Sequence, residues 1–170
     1  MKRRVRHGAT GVMVAVLAGC AHVAAPEAVA VPLHQPLPGL SSAGQPAASD
    51  WAAIKANGVH TVINLRTPGE LKDRDEAAEV RAAGMAYLEI PVAGADGINA
   101  DNARLLHAAL TPAHGGVLVH CASGNRVGAL LALEQREFDG VSPLRALELG
   151  KAAGVTGLEG KLKQVLGIGE

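Results

Sequence analysis

The sequence predicts an α/β fold with a mainly parallel central sheet of about four strands and helices on its faces. Three observations point to it. The runs "VHTVINLR", "MAYLEIP" and "GVLVH" are rich in Val, Ile and Leu and alternate with helical stretches, the pattern of parallel strands joined by crossover helices. The chain has 170 residues, 48% hydrophobic content and only three aromatics (Trp51, Tyr87, Phe138), enough for one core built chiefly of Ala, Val, Leu and Ile. Finally, Gly58 and Gly84 stand just past two of the helical stretches, where a residue with φ > 0 ends a helix well.

The N-terminus differs in composition. "MKRRVRHG" is basic and "ATGVMVAVLAG" is an apolar run of 11 residues. A membrane-spanning helix needs roughly 18–20, so residues 1–19 read as an export signal. Residues 20–38 are rich in Ala, Val, Pro and His and show neither helical nor strand periodicity, as expected of an extended tether. The folded domain is expected over 39–170. It opens with the helix "SDWAAIKANG", with Ser49 as N-cap, followed by the strand "VHTVINLR". A charged helix, "GELKDRDEAAEVRAAG", precedes the strand "MAYLEIP". "NADNARLLHAAL" is a helix with Asn99 as candidate cap, followed by the strand "GVLVH". "RVGALLALEQREF", "SPLRALELGKAAG" and "TGLEGKLKQVLG" close the chain as three helices.

In a parallel sheet ligands sit beyond the carboxyl ends of the strands. That rule selects Arg66, the segment Pro91 to Ile98, and the segment Cys121 to Arg126. A cysteine between a strand and a helix N-terminus faces unpaired amide N–H groups and the positive end of the helix dipole, which favour the thiolate. The intervening Ala122, Ser123, Gly124 and Asn125 are small enough for their amides to form an anion cradle, with Gly124 free to take φ > 0. Arg126 adds a planar fork for two oxygens of a bound dianion. Nucleophile, amide nest and fork suit phosphoryl transfer through a thiophosphate intermediate.

"VLVHCASGNR" resembles the active-site loop of the cysteine-dependent protein phosphatases. With "GQPAASDWAAIKANGVHTVINLR" and "GMAYLEIPV", the pattern from Leu40 to Phe138 is most similar to the phosphatase-like domain of bacterial beta-lactamase-hydrolase-like proteins. The resemblance implies a dual-specificity-phosphatase-like fold, with Cys121 as nucleophile, Arg126 as phosphate clamp and the amides of residues 122–126 as the substrate cradle. It implies phosphotyrosine-like proteins or small phosphomonoesters as substrates, and no metal or other cofactor. Four residues, not the five usual in tyrosine phosphatases, separate Cys121 from Arg126, and Val127 stands where a Ser or Thr is usual. Rhodaneses share the four-residue spacing, so a sulfurtransferase carrying a persulfide on Cys121 is the alternative reading, and an inactive anion-binding module a third.

Around this centre Asp96, in "AGADGI", is a candidate general acid, since related phosphatases take theirs from that region, or else an ordinary Asp-Gly turn residue. His120 is expected on the opposite face of its strand from Cys121, with its ring hydrogen-bonding the loop. Arg66 either extends the anion site or pairs with Glu70. Asp101 fits a first-turn helix carboxylate. His60, His107 and His114 have no metal-ligand spacing.

"LAGC", ending at Cys20, resembles the bacterial lipoprotein box, which implies lipidation of Cys20 and a membrane anchor. Because Ala21 and not Asp follows, the expected location is the cell envelope, facing the periplasm from the outer membrane. Losing Lys2, Arg3, Arg4 and Arg6 from the 16 basic residues leaves 12 against 16 acidic, a net charge of −4. Such a chain lacks the basic surface of a nucleic-acid-binding protein.

Overall fold

The computed structural model describes residues 28–169. The expected signal and the lipidation candidate Cys20 lie outside them. Eleven elements follow in order: β1 (Leu33–Leu37), β2 (Leu40–Ala43), α1 (Asp50–Ala56), β3 (Val59–Asn64), α2 (Glu76–Ala82), β4 (Ala86–Glu89), α3 (Ala100–Leu110), β5 (Gly116–His120), α4 (Asn125–Phe138), α5 (Pro143–Ala152) and α6 (Glu159–Val165). The sheet order is β1-β2-β5-β3-β4, with β1 antiparallel to β2 and every other pairing parallel.

Alternation along the inner strands divides the core in two. On one face Val62 of β3 and Leu118 of β5 pack with Trp51, Ile54 and Val80 beneath α1 and α2. On the other, Ile63, Val117 and Val119 pack against Leu106 of α3 and Leu130 and Leu131 of α4. Burial on both faces is why these strands read as nearly unbroken apolar runs rather than as polar–apolar alternation. At roughly 25 cal/mol per Å², a fully buried Leu or Ile contributes about 1.5–3 kcal/mol.

The structure corrects four details of the expected layout. Leu33–Leu37, in the stretch read as tether, is edge strand β1, and Leu40–Ala43 is a second strand, making five. Two prolines, Pro36 and Pro38, hid that hairpin; an edge strand and its turn tolerate them because few of their N–H groups are needed. The helix expected from residue 69 begins only at Glu76, where the Asp75 side chain accepts the Ala78 N–H at 2.9 Å. Residues 67–75 form a loop instead. Ser49 makes no side-chain cap to α1; the neighbouring Asp50 carboxylate accepts Ala47 N–H at 2.9 Å and Ala30 N–H at 3.0 Å. The Asn99 side chain caps α3 by accepting Asn102 N–H at 3.0 Å.

Candidate active site

His120, the last residue of β5, and Cys121, which follows it, go to opposite sides of the sheet. Cys121 joins the core beneath α4, while the His120 ring meets Trp51 edge-on at 6.1 Å and places Nε2 2.6 Å from Glu76 Oε1. His120 therefore contacts Glu76 of α2, not the loop its ring was expected to bond. Both His120 and Cys121 are fully buried.

The cradle closes over the thiol. The Gly124 N–H donates to Cys121 Sγ at 3.1 Å, and Gly124, at φ 85°, starts α4 in the left-handed region that a side chain would strain. The end of β2 fixes the outer edge of the loop: Gly44 bridges Ser123 and Gln45 N–H donates to Ala122 C=O at 3.2 Å. Thiol, loop amides and helix N-terminus are thus held as one rigid unit, the arrangement that binds a tetrahedral oxyanion. Val127, fully buried, follows the arginine where a hydroxyl residue would otherwise stand.

Arg126 reaches back over this loop. Its Nη1 donates to the Val92 carbonyl at 2.9 Å and to Glu70 Oε1 at 2.7 Å, and its Nη2 donates to Glu70 Oε2 at 2.6 Å. This fork holds the Glu70 carboxyl down at about 2, with the Thr67 backbone N–H and hydroxyl assisting. Arg126 is raised in turn, by Glu70 first and by the nearby Cys121 sulfur. Glu70 is thus the partner of Arg126 and not of Arg66, the alternative the sequence offers for it. Arg66 is buried and pairs with Glu76 at 3.2 Å, so it belongs to the network under the loop, not to the anion site. Burial pushes the Glu76 carboxyl up, but His120, Arg66 and Gln45 outweigh it, and the net direction is down.

The cleft above the cradle measures about 510 Å³ and is bounded by Glu70, Gly94, Ser123, Asn125 and Arg126. Gly157 and Leu158, from the turn between α5 and α6, complete it. That volume accommodates a phosphate with a group of aryl size attached. Asp96 stands in the exposed turn that also contains Gly94; its backbone carbonyl accepts from Asn99 Nδ2 at 3.0 Å. Asp101 pairs with Arg104 at 2.9 Å on the surface of α3. Among the described residues no cluster of three His, Cys, Asp or Glu has metal-binding geometry.

Comparison with known proteins places this geometry in context. The family model for "Beta-lactamase hydrolase-like protein, phosphatase-like domain" matches residues 33–137. A beta-lactamase hydrolase-like protein of Xylella fastidiosa is 33% identical over 132 residues, covering 71% of this chain and 30% of its own length. The chain therefore spans about a third of that curated relative. A similar protein of Agrobacterium fabrum is 36% identical over 98 residues, 55% of this chain and 22% of its own. Among solved structures, a DUF442 protein of Shewanella putrefaciens assigned as a phosphatase superposes with a TM-score of 0.64 at 30% identity, covering 79% of this chain and 85% of its own. TpbA of P. aeruginosa shares the fold at a TM-score of 0.64 and 22% identity, over 81% and 84% of the two chains.

Proposed function

The chain belongs to the family of the phosphatase-like domain of beta-lactamase hydrolase-like proteins, and on that premise we propose that it is a cysteine-dependent phosphatase acting through a thiophosphate intermediate. The observation that carries the reading is the Gly124 N–H to Cys121 Sγ contact at 3.1 Å inside a loop whose arginine is already oriented. Cys121 attacks phosphorus and the bond from phosphorus to the ester oxygen breaks, with the leaving oxygen taking a proton from Asp96. The loop amides and Arg126 stabilise the charge that develops on the phosphoryl oxygens. Water then cleaves the sulfur–phosphorus bond, its oxygen joining phosphorus and its proton passing to the Asp96 carboxylate, which releases phosphate and restores the thiolate and the acid. Substrates are phosphotyrosine-like groups or small phosphomonoesters; a cysteine-to-serine variant of TpbA has been solved with phosphotyrosine, which supports the first class.

Phosphate release from an aryl phosphate, competed by vanadate and abolished in Cys121→Ser, is the expected result. Arg126→Lys should be nearly as damaging, because a point charge cannot replace the fork. Thiosulfate-dependent thiocyanate formation that is lost in Cys121→Ser, without phosphate release, would establish the sulfurtransferase instead. Binding of vanadate with neither activity would identify an anion-binding module.

The proposed setting is the periplasmic face of the outer membrane, through acylation of Cys20. More than one acyl chain gives stable anchoring where a single chain does not. Cys20→Ser should shift the protein from the membrane to the soluble or unprocessed fraction. Membrane retention at mature length in that variant would rule the anchor out.

A further inference from the structure

Asn125 lies in the cradle, where its Nδ2 donates to the Ser123 hydroxyl at 3.3 Å, but its side-chain oxygen is committed elsewhere. Its Oδ1 accepts the Thr156 N–H at 2.8 Å, the Thr156 hydroxyl at 3.2 Å and the Leu158 N–H at 3.3 Å, three donors of the turn between α5 and α6. The same turn is tied from the sheet, where the Ser42 hydroxyl, fully buried, donates to the Ala153 carbonyl at 2.9 Å. Val155 is buried against α4. A turn with no regular structure is thereby fastened at three points to the elements that carry the nucleophile. Exposed Gly157 and half-buried Leu158, which also packs against the core, form one side of the cleft that Arg126 borders.

The chemistry of that side differs from the rest of the cleft. The charged residues bounding the cleft are Glu70 and Arg126, and they neutralise each other. Gly157 and Leu158 offer backbone and an aliphatic side chain, with no cation for a second phosphate. We propose that the Thr156–Leu158 turn is the specificity wall of the site, with Leu158 contacting the uncharged body of a phosphomonoester and Asn125 acting as the residue that positions it. The site then favours one phosphate on a neutral, apolar group over multiply phosphorylated ligands. This rests on the phosphatase reading for the cradle but makes its own forecast about the part of the substrate beyond phosphorus.

The test measures binding to the full chain carrying Cys121→Ser, so that it does not depend on turnover, with turnover of the unmodified chain assayed alongside. Inorganic phosphate probes the cradle alone, and 4-nitrophenyl phosphate probes cradle and wall. Adding Leu158→Ala should weaken the aryl phosphate about fivefold to tenfold, the loss expected for a partly buried aliphatic contact. Inorganic phosphate should stay within about twofold. Asn125→Ala should weaken the aryl phosphate more than it weakens inorganic phosphate, and adding Leu158→Ala to it should cost the aryl phosphate little more, because the wall is already displaced. Parallel weakening of both ligands would make Leu158 a support of the cradle, and unchanged aryl phosphate binding would remove it from the site; either overturns the wall. Failure of the Cys121→Ser chain to bind either ligand would also overturn it. Absence of turnover in the unmodified chain, with the aryl-specific split intact, would overturn the phosphatase reading and leave the wall standing.

Discussion

Glu70 and Arg126 meet end to end, carboxylate against guanidinium, through two parallel hydrogen bonds of 2.7 and 2.6 Å. Because Nη1 also donates to Val92 C=O, the end of the guanidinium is occupied and its Nε side is the edge left to face a bound oxyanion. The fork is therefore aimed before substrate arrives. Glu70→Gln keeps the shape but leaves one acceptor where there were two. It should lower kcat/KM for an aryl phosphate about tenfold, equivalent to about 1.4 kcal/mol. Steady-state kinetics at matched protein stability would show it, and full activity in the variant would mean that the Val92 and Leu65 carbonyls orient Arg126 without Glu70.

The same pair sets a pH dependence. A carboxylate whose folded-state pKa lies below its unfolded value stabilises the fold above the unfolded value, and that contribution disappears as pH falls through the folded one. Glu70, held at about 2 by Arg126, has its window between about pH 5 and pH 2. Thermal unfolding should therefore lose less stability across that range in Glu70→Gln than in the unmodified chain. The remaining acid sensitivity is assigned in part to Glu76, which is also shifted down. Identical pH profiles would show that solvent screens the Glu70–Arg126 pair.

Asp96 is tested through its leaving group. It stands in an exposed turn two residues from Gly94, which borders the cleft; Asp96 itself is not among the residues that bound it. As general acid its removal in Asp96→Asn should cost about 10²–10⁴-fold on an alkyl or phenyl phosphate. The cost should be much smaller on 4-nitrophenyl phosphate, whose anion leaves unprotonated. Small, equal effects on both would leave Asp96 as a turn residue.

The residues whose placement follows from local chain geometry were legible in the sequence. A thiol at a strand end, Gly124 before a helix and Arg126 in its first turn are neighbours along the chain, so the strand–loop–helix pattern was enough to bring them together. The partners of those residues were not legible. Glu70 and Arg126 are 56 positions apart, and the charges of the loop bearing Glu70 mimic those of a helix. Leu158 and Asn125 are likewise joined only by the packing of α5 on α4. The strand-end rule did select the "NLR" turn, and following that loop four residues beyond Arg66 would have reached Glu70. Strand β1 escaped because two prolines obscure a pattern that the hairpin with β2 supplies.

The packing that brings the wall to the cradle depends on a close approach at Gly128. A Cβ placed there would lie 2.5 Å from the Gly150 carbonyl oxygen and 2.7 Å from Val155 Cγ2. Backbone blocks the first of these contacts, so α4 and α5 must move apart. Gly128→Ala should destabilise the fold by about 1–3 kcal/mol, as overpacked cores do, lowering Tm by roughly 2–4 °C for each kcal/mol. Gly160→Ala is the matched control, since it also lies in a helix, α6, but a Cβ there meets nothing within 4 Å; it should be neutral or stabilise by up to about 1 kcal/mol. Val155 leads directly into the Thr156–Leu158 turn, so separating α4 from α5 also shifts the wall. Folded Gly128→Ala protein should therefore bind 4-nitrophenyl phosphate more weakly while holding inorganic phosphate nearly as well. Equal Tm values for the Gly128 and Gly160 variants would show that the helices yield without cost and that this contact does not set the position of the turn.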